Sequence, residues 1–181
     1  MAYTFDEKDI GLLQIANTDA GFTPPNQSTV IPTPPTVLGS VKRAFDPTYG
    51  EGEFILLQGV AGTAVGALVT YDSTTYQTAL CPSTANLARP VAVAMSANLA
   101  ATFGWYQISG SAVVLKQTNH QIAGNLAVGI SSSAGKIVAS SSAGAGKEIE
   151  GARSANSNSV SSATTTVTVV LDRPALQGRT T

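Results

Sequence analysis

Charge is what this sequence has least of. Only 12% of its 181 residues are Asp, Glu, Lys or Arg, against about 25% in an ordinary soluble domain. The formal net charge is −1, and the only adjacent basic pair between residues 10 and 181 is Lys42-Arg43. No phosphate-tracking surface can be built from that, so nucleic acid is not an expected partner. No apolar run reaches the ~20 residues of a membrane-spanning helix. Met1–Ile10 carries Asp6, Glu7 and Asp9 in place of an apolar stretch, which argues against a secretory leader. Cys81 is the only cysteine and His120 the only histidine. An intramolecular disulfide, a cysteine-based zinc site and a histidine-rich metal site are excluded on count alone. No metal or cofactor is expected, and synthesis in a reducing compartment fits the lone thiol.

The charge that exists is unevenly placed. Ten of the 21 charged residues fall in Met1–Glu53, and between Phe54 and Gly135 only Asp72, Arg89 and Lys116 are charged. A free monomer uses charge to stay soluble and apart from its neighbours. A domain with so little is expected to work packed against something.

The texture divides the chain into an arm, residues 1–50, and a β-domain, residues 51–181. Thr23–Pro35 holds five prolines, which fix φ, remove backbone donors and bias their predecessors to extended geometry. Ahead of it, Thr4-x-x-Glu7 has the form of a capping box and predicts a short helix through Ile10 and Leu13, with Gly11 against it. Phe5, Leu12, Leu13 and Phe22 are among the apolar residues of the arm, too spread out for a core of their own. Two readings follow: a disordered leader, or an arm that orders only against a partner.

From Phe54 the chain reads as short β-rich segments between turn residues. The predicted strands are Phe54–Val60, Ala67–Tyr71, Val91–Met95, Gly104–Ser109, Ser111–Leu115, Ala127–Ile130, Ile137–Ala139, Ile149–Arg153 and Thr165–Leu171. Ser109-Gly110 reads as a tight hairpin between two of them. The expectation is an all-β fold, a small barrel or sandwich carrying an extended proline-rich N-terminal arm. If Tyr106 and Ile108 face the core, Trp105 shares the opposite face with Gln107 and Ser109. Trp105 is then either an exposed contact anchor or buried by a fold that covers both faces.

Catalytic patterns fail on spacing. His120 with Asp72 or Asp172 could belong to a triad, yet no G-x-S-x-G elbow selects a serine. Cys81 precedes Pro82 at a strand end and reads as a small packing residue, not the partner of His120 in a nucleophile pair. Gly144-Ala-Gly146-Lys147 lacks the first glycine and the final Ser/Thr of a phosphate loop, so it is a turn. The chain is not expected to be an enzyme.

In their order, GEFILLQGVAGTAVGALVTYD (52–72), ARPVAVAMSA (88–97), FGWYQISGSAVVLK (103–116), KEIEGARSA (147–155) and TVTVVLDRP (166–174) resemble the capsid decoration, or cement, proteins of tailed bacteriophages. The likeness spans roughly Gly50 to Pro174; the proline-rich arm departs from the shorter members. The resemblance implies a non-enzymatic virion protein on the outside of the head. It would be made in the host cytoplasm and form a homotrimer that bridges and stabilises major capsid subunits. The resemblance itself carries over no contact residue; the apolar arm residues Phe5, Leu12, Leu13 and Phe22, with Trp105 on its strand face, are the ones expected to contact capsid or sister subunit. Competing roles are a tail, fibre or collar component, and a carbohydrate-binding module stacking sugars on Trp105, Tyr106 and Tyr71. No long fixed-period repeat supports a fibre.

Overall fold

In a computed structural model, residues 2–6 and 12–178 are described. They form β1 (Thr4–Phe5), β2 (Thr18–Asp19), β3 (Val41–Asp46), β4 (Gly50–Gln58), β5 (Leu68–Tyr71), β6 (Thr78–Leu80), β7 (Val91–Ala94), β8 (Phe103–Leu115), β9 (Ala127–Ile130), β10 (Ile137–Ala139), the single-turn α1 (Ser140–Ala143), β11 (Glu148–Ser154) and β12 (Thr166–Leu176). The fold is all-β. Its antiparallel sheet follows the order β1-β3-β4-β8-β12-β11-β9-β10, with β2 and β7 also on β8, and β5 joining β7 to β6. This path does not close on itself.

The 13-residue β8 organises the molecule. Its first half pairs with β4, from Gln58↔Phe103 to Glu53↔Ser109. Its second half pairs with β12, from Asp172↔Ser109 to Thr166↔Leu115. The expected hairpin at Ser109-Gly110 is absent, because β8 runs through that point and changes partner there. Gly110 has φ +89°, and a Cβ on it would lie 2.3 Å from the Glu51 carbonyl oxygen. The glycine serves a close backbone crossing, not a turn.

β12 likewise runs past its expected end at Leu171. Glu150 pairs with Ala175 and Ala152 with Leu171, so Asp172, Arg173 and Pro174 bulge opposite Gly151. Pro174 needs no ladder donor at a bulge. Arg173 adopts φ +44° there, costly for a side chain with a Cβ.

β4 and β8 bury both faces. Phe54, Leu56, Phe103 and Trp105 point to one side, packed with Tyr3, Phe5 and Ile15. Ile55, Leu57, Tyr106 and Ile108 point to the other, packed with Ala67, Val69, Ala92 and Ala94. A larger cluster joins β7 and β8 to β9–β12. Strands covered on both sides read as continuous apolar runs, hence Phe54–Leu57.

The arm expected over 1–50 is therefore extended only in part. Thr4 and Phe5 are strand, not the start of a helix, and pair with Phe45 and Ala44; residues 7–11 lie outside the described residues. β3 pairs along its whole length with β4, so the sheet begins before residue 50. Tyr3, Phe5 and Ile15 are buried, each contributing about 1.5–3 kcal/mol on burial. What remains without core contact is the proline-rich stretch.

Gly110→Ala should lower stability by at least ~2 kcal/mol, from the left-handed backbone and the Glu51 contact together. Urea denaturation of the two proteins measures it; an unchanged midpoint would show that β8 and β4 do not cross so closely.

Candidate interaction surface

The five residues expected to contact a partner meet different fates. Trp105 is fully buried, its indole Nε1 donating to the Leu13 carbonyl at 2.8 Å. Phe5 packs edge-on against it, ring centroids 5.1 Å apart. Leu12 and Leu13 are half-buried against the same cluster. These four are engaged within the chain. Phe22 alone of the five is exposed. The supposed polar face of β8 is covered by the N-terminal segment. Gln107, fully buried, donates from Nε2 to the Tyr3 hydroxyl and to the carbonyls of Ser109 and Ser111. With Trp105 and Tyr106 both fully buried, neither offers a ring face to a sugar.

The residues weighed for chemistry are tied into structure. Burial pushes the Cys81 thiol up to about 12, which leaves almost no thiolate near neutrality. The His120 carbonyl accepts from the Lys116 ammonium at 2.6 Å. That ammonium also donates to the carbonyls of Gln117 and Ser162, and Lys116 is 1% exposed. Burial pushes its pKa down. Asp72 caps a turn through the amides of Thr74 and Thr75. Gly144 and Gly146 follow α1 with φ of +85° and +70°, as a turn. Among the described residues, no three His, Cys, Asp or Glu side chains converge as metal ligands would.

Charge gathers where β3, β4 and β12 meet. Glu53 bridges Arg173 (Nη2–Oε2 2.9 Å) and Arg43 (Nε–Oε1 3.5 Å). Glu51 and Asp172 join them around an open cleft of about 350 Å³. Both arginine side chains are about two-thirds exposed, where such pairs add little stability. Mixed charge of this kind selects neither anion nor cation.

The opposite end of β4 has a different character. Asp19 and Gln58 both pair with Phe103, so β2 and β4 end in the row where β8 begins. The loops 20–40, 59–67 and 95–102 leave from this end and contain no charged residue. Among the described residues, six of the nine exposed large apolar side chains belong to them: Phe22, Val30, Ile31, Val37, Val65 and Leu99. Exposed apolar side chains concentrated on uncharged loops make these loops the candidate for contact with a partner.

These loops are built, not slack. Gly59 N–H donates to the Thr102 carbonyl at 2.6 Å, and Gly66 N–H to that of Ala94 at 2.8 Å. Buried Asn98 fills the space left by Gly59, where a Cβ would approach it to 2.5 Å. The Thr102 hydroxyl accepts the Leu99 N–H and lies 2.8 Å from the Leu99 carbonyl, holding Leu99 at the tip, 67% exposed. In the proline-rich loop Phe22 and Ile31 exchange two backbone hydrogen bonds of 3.0 and 2.8 Å, and Asn26 turns the chain with φ +64°. The sequence signal for this surface was the absence of charge between Ala20 and Val41. The joining of loops 59–67 and 95–102 through Gly59, Asn98 and Thr102 depends on sheet register and could not be read.

No known family model matches the sequence, and no curated protein matches it.

Two measurements check this arrangement. Trp105 is the only tryptophan, so native emission should be blue-shifted and poorly quenched by acrylamide. Phe5→Ala should shift it red and cost about 3 kcal/mol; exposed-type emission in the unaltered protein would contradict the packing. Burial works to raise the Asp46 carboxyl, but the amides of Thr48, Ala2 and Tyr49 outweigh it and hold it below its ordinary 3.8. A lowered native pKa means stability present above the ordinary value and lost as pH falls through the native one. Asp46→Asn should therefore lower the urea midpoint at pH 7, with the gap closing towards pH 3.

Proposed function

We propose that this protein is a structural virion component that binds the outside of a phage head, bridging and stabilising neighbouring major capsid subunits as a homotrimer. The observation that carries the reading is the uncharged apolar end formed by loops 20–40, 59–67 and 95–102. The resemblance of residues 50–174 to decoration proteins gives that end its partner. Phe22, Val30, Ile31, Val37 and Leu99 then take the contact role first expected of Phe5, Leu12, Leu13 and Trp105.

The physics suits fastening. Proline limits the freedom that a loop loses when it is immobilised on a partner. Fixed turns present Leu99 and Val65 without further ordering cost. A trimer offers three such ends at once, so individually modest contacts add through effective concentration. The product is held at the capsid exterior after synthesis in the host cytoplasm.

The test is co-sedimentation of purified protein with expanded empty capsids and with immature ones. Binding to the expanded shell alone is expected. The triple variant Phe22→Ser/Ile31→Ser/Val37→Ser should weaken it about 100-fold, roughly 1 kcal/mol for each lost apolar contact. Labelling confined to tails in electron micrographs, or no binding to any shell, would overturn the reading. Undiminished binding by the triple variant would move the contact away from this end.

A further inference from the structure

We infer that the N-terminal segment, residues 2–19, is an exchangeable element that seats in the same site on a second copy of this chain. The inference rests on the self-association part of the proposed function and is independent of capsid binding.

The segment has the form of a plug on a tether. Its seat is specific: Tyr3 and Phe5 enter the cluster of Phe54 and Trp105, Tyr3 donates its hydroxyl to Ser111, and β1 and β2 add to β3 and β8. Its tether, residues 20–40, makes no strand and holds five prolines and no charge. Twenty-one residues in polyproline geometry reach about 65 Å, whereas a domain of this length is about 40 Å across. A neighbour's seat is therefore within range.

Exchange leaves every described contact of the plug unchanged, so the balance between the two forms is set by the tether. Folded back, the tether makes the two Phe22–Ile31 backbone hydrogen bonds and turns at Asn26, but it leaves Phe22, Val30, Ile31 and Val37 exposed. Running between copies, the prolines keep their preferred extended geometry, and the two hydrogen bonds are exchanged for burial of part of that apolar surface on the neighbour. Plugs passed in one direction around a ring close it without a free seat.

Thr4 and Phe45 are direct partners in β1 and β3, and both are exposed. The full chain carrying Thr4→Cys and Phe45→Cys is sized by light scattering, oxidised mildly and run on a denaturing gel without reductant. Cys81 is 2% exposed and does not compete. Multimers in solution that become covalent multimers on the gel are expected. Multimers that yield only internally linked single chains, or no disulfide, overturn exchange and leave self-association standing. A monomer at ~100 µM overturns both, with capsid binding still to be judged by co-sedimentation.

Discussion

A strand pair that is apolar on both sides must be covered on both sides. β4 and β8 impose this constraint, and the rest of the molecule answers it. One cover is local in sequence: β5 and β7 fold back to seat Val69, Ala92 and Ala94 over Ile55, Leu57 and Tyr106. The other comes from far away, as Tyr3, Phe5 and Ile15 return to Phe54, Phe103 and Trp105. Without the second cover Trp105 and Gln107 would face water, and the bonds from the indole to the Leu13 carbonyl and from the amide to the Tyr3 hydroxyl would be lost. The N-terminal residues are thus part of the core, and the proline-rich loop is the length of chain that such a return requires.

Much of the β-architecture was legible in the sequence, and the misses share a cause. Val91–Met95, Ala127–Ile130 and Ile137–Ala139 show compact apolar runs, and β7, β9 and β10 coincide with them except for Met95, one residue past β7. β3 escaped notice because its buried face is Ala44 and Asp46 while Phe45 points outward, the reverse of the usual pattern. Gly110 was read as a hairpin turn, and the last strand was expected to end at Leu171, short of Pro174. Both residues sit inside strands, since a close crossing at Gly110 and a bulge beside Arg173 satisfy the same residue preferences as a turn. Local propensity reports the backbone geometry at a residue, not what the geometry is for.

The contact surface was half legible. Scarcity of charge raised the expectation of a partner, and of the five residues chosen Phe22 alone is exposed, on an uncharged loop. Phe5, Leu12, Leu13 and Trp105 were chosen as apolar residues lacking a local core, and a distant core claims them. Leu99 gave no sign, because its exposure depends on Asn98 and Thr102 closing a turn beside Gly59. The chain thereby separates two kinds of surface: mixed charge around Glu53, and none where β2, β4 and β8 share an end.

Lys116 has a practical corollary. Its ammonium is sealed beneath the residues whose carbonyls it serves, Gln117 and His120 on one stretch and Ser162 on another. Acylating reagents will modify Lys42, Lys136 and Lys147 on the intact protein long before they reach this amine. The mass tag that eventually arrives at position 116 records the moment those two stretches part, a clock for unfolding that the chain carries without any added dye.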